Sequence, residues 1–178
     1  MKFIITMVIF ALLFTGIFIW SGIYNVAANN KHYAFTSGLL ELVREQSVNS
    51  RLSDIVVPAL NDKQQIKQGA QFYAQMCAAC HLAPGISESE LHAGLYPQPP
   101  LLSQNENKHN KHSAAKQFWI IKNGLKMTGM PAWSPAHNDE QIWSMVAFIK
   151  QLKNMSVDEY DLLISSSNNS HDAGAHSH

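Results

Sequence analysis

The sequence predicts an all-α protein: one N-terminal membrane helix, a helical spacer and a small helical domain. Three observations carry this. A long uncharged apolar run opens the chain, apolar stripes at helical spacing recur behind polar capping residues, and no stretch alternates as a half-buried strand would. The 178 residues allow one compact domain plus accessories. The 13 basic side chains balance the 13 acidic ones, so no basic face points to nucleic acid as a partner. Two cysteines in the whole chain leave no disulfide framework to read.

The first element is the apolar run. Residues 3–30 carry no charge, and Phe3 to Trp20 is almost wholly apolar. A helix needs about 20 such residues to cross a bilayer core. Lys2 ahead of the run favours a cytoplasmic N-terminus, and Trp20 and Tyr24 behind it sit where interfacial aromatics belong. The remainder of the chain then lies outside. Val26-Ala27-Ala28 would serve as a signal-peptidase site, but the run exceeds the usual signal core of about 7–15 residues. The expectation for residues 1–28 is therefore a retained anchor, with a cleaved signal peptide as the alternative.

Residues 29–60 read as a spacer with one short helix, where Leu39, Leu40, Leu42 and Val43 stand among polar residues. The domain proper is expected over 61–155. Asn61 and Gln64 have capping-box spacing ahead of Ile66, Ala70, Tyr73 and Cys77, a helical stripe that delivers the cysteine to the helix end. Gly69 on that face leaves room for a close helix neighbour. Pro84, Gly85, Pro97, Pro99 and Pro100 predict mostly loop over 84–103, and the polar stretch 103–113 an exposed loop. Ser113 caps a third helix that Asn123-Gly124 should end in a left-handed turn. The last helix, Asn138 to Leu152, pairs another capping box with the stripe Ile142, Met145, Val146, Ile149 and Leu152. Residues 156–178, Ser-, Asn- and His-rich from Ser165, read as a disordered tail.

The chemistry lies in Cys77-Ala78-Ala79-Cys80-His81, the C-x-x-C-H haem-attachment signature. Two thiols on one turn can add across the two vinyl groups of a haem while the adjacent histidine reaches the iron. One covalent haem c is therefore predicted. A thioredoxin-like pair would need a strand-to-helix setting, and a zinc site would need further ligands at close spacing; neither is present, and His92 has no regular partner ligand. For the sixth iron position Met130, in the turn-forming Gly129-Met130-Pro131, is the leading candidate, with Met127 as its rival. His/Met ligation would raise the reduction potential relative to two histidines. Met7, Met145 and Met155 read as core filler, and Met76 as packing or a haem-edge contact.

With these residues in view, the chain resembles the class I cytochrome c family over roughly residues 62–153. The shared features are a helix with Gly69 and Tyr73, the Cys77-Cys80-His81 motif, Pro84-Gly85, the Met130-Pro131 loop and an aromatic C-terminal helix. The segments Trp20 to Ala28, Leu95 to Pro100, and Phe118 to Gly124 with Met127 to Trp133 are similar to small anchored bacterial monohaem cytochromes. The resemblance implies the class I cytochrome c fold and one-electron transfer, with the first and last helices crossing at Gly69 and Phe148. It implies that Pro84 supplies the carbonyl orienting His81, and that Met130 is the distal ligand.

The expected function is one-electron transfer between redox protein partners, a donor and an acceptor, outside the cytoplasmic membrane. The alternatives are an electron-accepting subunit of a larger dehydrogenase or oxidase complex, or a five-coordinate haem enzyme or sensor. No general base, nucleophile or substrate cleft is signalled, which predicts a carrier rather than an enzyme. Trp119, Trp133 and Trp143 are expected to wall the haem, and Lys122 and Lys126 to form a solvated face. His109, His112 and His137 read as surface residues. The tail residues His171, His176 and His178 read as a metal-binding cluster or as fortuitous.

Overall fold

The computed structural model describes residues 1–104 and 112–165. The chain divides into two units, Met1–His32 and Tyr33–His178. The first unit carries helix α1, Lys2–Ser21, which is long and apolar enough to cross a membrane and ends at Gly22 in a left-handed conformation. Among the described residues it is the one helix of that kind, and it forms the membrane anchor. Beyond it, the Tyr24 hydroxyl lies 2.9 Å from Nδ1 of His32, which gives that histidine a local partner.

The second unit is all-α among its described residues, with one isolated bridge between Ala83 and Ile86. Its helices are α2 (Ala34–Asn49), α3 (Lys63–Phe72), α4 (Ala78–His81), α5 (Glu90–Gly94), α6 (Ala114–Asn123), α7 (Asp139–Leu152) and α8 (Val157–Ser165). A π-helical turn, Tyr73–Cys77, joins α3 to α4. The core forms where α3 crosses α7. A Cβ on Gly69 would collide with the Ser144 carbonyl and the Phe148 side chain, so only glycine permits this approach. Tyr73, Phe148, Ile142, Met145, Val146 and Leu152 are fully buried there. Phe118 of α6 stacks on Trp143 of α7 with centroids 4.1 Å apart.

Caps account for the helix starts. The box at Asn138 and Gln141 closes as expected, and Ser113 accepts from the Lys116 amide. Before α3 the capping residue is Asp62 rather than Asn61, one step along: its carboxylate accepts from the Gln65 amide at 2.8 Å. A carboxylate there also suits the positive end of the helix dipole.

Two expectations are corrected. Residues 157–165 are helical rather than part of a disordered tail. Ser156 and Glu159 form a reciprocal capping box, which holds the Glu159 carboxyl below its usual range, and Tyr160 is buried against Phe148. His137 is half-buried rather than freely exposed: its ring lies edge-on to Phe72, tilted on Trp133, and its Nδ1 is buried without a hydrogen-bond partner. The predictions for His109 and for His171, His176 and His178 fall outside the described residues. The spacer helix α2 packs on α6, where Glu45 pairs with the nearly buried Lys116.

Candidate functional site

Delivery of the motif begins at the π-helical turn. Its wider winding ends on the first cysteine, Cys77, and such insertions are frequent at functional sites. Cys77, which caps α4, is buried, and Cys80, on the single turn of α4, is partly exposed. The helix stops at once after His81, because Leu82 adopts a positive φ of 58°. A leucine in that region is strained by about 1–3 kcal/mol and needs its surroundings to hold it. Here the buried Tyr73 hydroxyl donates to the Leu82 carbonyl at 2.5 Å. Desolvation raises the Tyr73 phenol well above its ordinary range, so it stays a donor.

The end of α4 is tied down by α5. Ser89 donates its hydroxyl proton to the Ala79 carbonyl and accepts from the His92 amide, and His92 Nδ1 donates to the Cys80 carbonyl at 2.8 Å. Two carbonyls that a helix end leaves unsatisfied are thereby paired. Residue patterning considered His92 only as a zinc ligand. The available signal was Ser89 three residues ahead of it, a cap for a short helix after the motif.

His81 Nδ1 lies 2.9 Å from the Pro100 carbonyl. A carbonyl only accepts, so Nδ1 carries the proton and Nε2 keeps the lone pair that coordinates a metal. This corrects the role expected of Pro84, which sits in the tight turn just after the motif, around Gly85 at φ 82°. The orienting carbonyl arrives instead from the proline-rich segment Leu95 to Pro100.

Met130 stands beside His81, and the loop bearing it is clipped to the end of α6. The Trp133 and Ser134 amides donate to the Ile121 and Lys122 carbonyls, both at 3.1 Å, and the Leu125 amide donates to the Met130 carbonyl. Thr128 braces the turn from inside, accepting from the Met130 amide and donating to the Leu125 carbonyl. Gly124 has φ 66° and ψ −174°, so it leaves the left-handed helical region that Asn123-Gly124 was expected to occupy. A Cβ there would strike the Met130–Ala132 backbone. Met130 packs against the core, whereas Met127 is 76% exposed, which separates the two candidates. Gly129 meets the side chain of Leu95, so the loop bearing Met130 and the segment leading to Pro100 touch.

The donor set fits a covalent haem c. Two thiols lie on one turn, one histidine nitrogen is fixed as a lone-pair donor, and a soft thioether stands by it. Burial, with the neighbouring Cys80, pushes the Cys77 thiol up to about 12, the opposite of what a thioredoxin-like nucleophile or zinc thiolate requires. Trp143 belongs to the core, and Trp133 packs on His137. Lys122 is paired with Asp139 at 2.6 Å, so it is engaged within the domain rather than free to steer a partner.

Residues 64–149 match the family model described as cytochrome c oxidase, cbb3-type, subunit III. No curated protein matches the chain. The match covers α3 through most of α7, the segment that carries both the attachment turn and Met130. The attachment motif and this match are consistent with covalent haem c and one-electron transfer in a domain that follows a membrane anchor.

Proposed function

We propose that the protein is a class I-type monohaem cytochrome c that passes single electrons between redox protein partners on the outer face of the cytoplasmic membrane. Cys77 and Cys80 make the thioether bonds, His81 Nε2 is the proximal iron ligand and Met130 sulfur the distal one. The bound haem supplies a reversible ferric–ferrous couple. The protein residues hold it and set its environment. Hydrogen bonding of His81 Nδ1 to Pro100 fixes the ring and raises its basicity. Thioether ligation and the apolar surroundings of Trp143, Phe118 and Ile121 favour the less charged reduced form, raising the potential. The observation that carries this reading is the convergence of Pro100 and Met130 on His81.

A second reading, that the protein is the cytochrome subunit of a larger oxidoreductase, draws on the family match over residues 64–149. Both readings predict haem that stays on the chain after boiling in detergent and cycles once per electron. Cys77→Ser with Cys80→Ser should abolish the haem-stained band; haem that dissociates from the wild type on denaturation would refute covalent attachment. Purification from mild-detergent extracts then separates the two readings. A stoichiometric large partner selects the subunit, and a lone chain selects the free carrier.

A further inference from the structure

Helix α2 has two apolar faces, and the domain uses only one of them. Val48 is buried, and Glu45 reaches Lys116 of α6. The other face presents Phe35, Leu39, Leu42 and Val43, spaced i, i+4, i+7 and i+8, which is one stripe of a helix. These four side chains are 81, 49, 56 and 58% exposed, and Tyr33 just ahead of the helix is exposed as well. Four large apolar residues in register on one face are more than scattered surface hydrophobics and mark an interaction surface.

We infer that this stripe lies in the lipid–water interface of the membrane that holds α1, making α2 a second membrane contact. The connection argues for lipid. Only residues 22–33 separate α1 from α2, a reach of at most about 40 Å when fully extended. That link is uncharged until Lys31 and exposes Ile23 and Val26, so in sequence the apolar character continues from the anchor to the stripe. Tethering at this range gives the stripe a high effective concentration at the bilayer surface. The charges of α2 stand off the stripe: Arg44 pairs with Glu41 at 3.7 Å and Glu45 with Lys116. An in-plane helix needs an apolar face of this kind and charge confined elsewhere. The consequence is a domain held by lipid on one side of α2 and by α6 on the other, instead of one swinging on a free tether. This rests on the anchor and not on the iron ligands, so its failure would leave the haem assignment standing.

The test uses the full-length holoprotein purified and reconstituted in phosphatidylcholine–phosphatidylglycerol vesicles. Haem attachment consumes both native thiols, so introduced cysteines report alone, and a retained haem spectrum certifies each variant as folded. Leu39→Cys and Leu42→Cys should react with a membrane-impermeant maleimide about tenfold or more slowly than Glu41→Cys, because the thiolate is the reactive form and lipid suppresses it. Protection should equal that of Ile9→Cys in the anchor and be independent of the lipid-to-protein ratio. Equal rates at positions 39, 41 and 42, with position 9 still protected, would overturn the proposal. So would protection that fades as the protein is diluted in lipid, which would identify a second copy. Protection seen only in native membranes would identify a partner protein and overturn it equally.

Discussion

Tyr73 sits fully buried where α3 runs into the π-helical turn, and its hydroxyl holds the carbonyl of Leu82, the residue that ends the attachment helix. Tyr73→Phe keeps the ring against Phe148 but strands that carbonyl. The expected loss is about 1–3 kcal/mol, the cost of an unsatisfied buried acceptor. Guanidinium unfolding followed by haem absorption measures it, and an unchanged midpoint would show that the bond contributes nothing. At this scale the covalent chemistry was legible, because C-x-x-C-H is a contiguous pattern. The partner of His81 was less so. Pro84 and Pro100 are both prolines after the motif, and choosing between them depends on how the segment Leu95 to Pro100 folds back, which no local pattern encodes. His137 departs from its expected setting for a similar reason: its neighbours in sequence are largely polar, but Phe72 and Trp133 cover part of its ring in space.

A glycine contact and a partly exposed ion pair join elements here. Gly69→Ala places a methyl group against the backbone of α7, which neither helix can yield cheaply. A loss of about 3 kcal/mol is expected, within the range for overpacked cores, and thermal unfolding of the haem-loaded protein would register it. The ion pair has a pH signature. Hydrogen bonding to Lys116 holds the Glu45 carboxyl below the usual carboxylate range. A depressed folded value means the contribution is whole above the unfolded value and lost as pH falls through the folded one. Glu45→Gln should therefore cost about 1 kcal/mol at neutral pH, solvent screening having been allowed for, and nothing in strong acid. A difference independent of pH would count against the pairing. The spacing of polar caps and apolar stripes revealed α2, α3, α6 and α7, because those signals are local. Helix α8 was missed although Ser156-Val157-Asp158-Glu159 is a capping box followed by Tyr160, Leu163 and Ile164 at helical spacing. The polar composition of the residues behind it outweighed that pattern.

For the whole molecule, a helix with no buried residue and high hydropathy defines where the chain meets the membrane. Exchanging residues 1–28 for a cleavable signal peptide should yield a haem-loaded protein that is released from membranes by alkaline carbonate, while the native chain stays in the pellet. Release of both would mean that the native anchor is removed in processing. Anchor and domain were separable in the sequence, since one is uncharged and the other patterned. The two-faced character of α2 was only half visible. The sequence showed an amphipathic helix, and only packing showed which apolar residues the domain takes and which it leaves out.

The claim on which the account turns is that His81 and Met130 together hold the iron. Absorption spectra of the oxidised protein, wild type beside Met130→Ala, test it most directly. The account predicts a low-spin ferric spectrum with the weak far-red band of methionine sulfur on iron, lost in the variant along with a fall in reduction potential. A high-spin wild-type spectrum that Met130→Ala leaves unchanged would mean an open iron site and would contradict it.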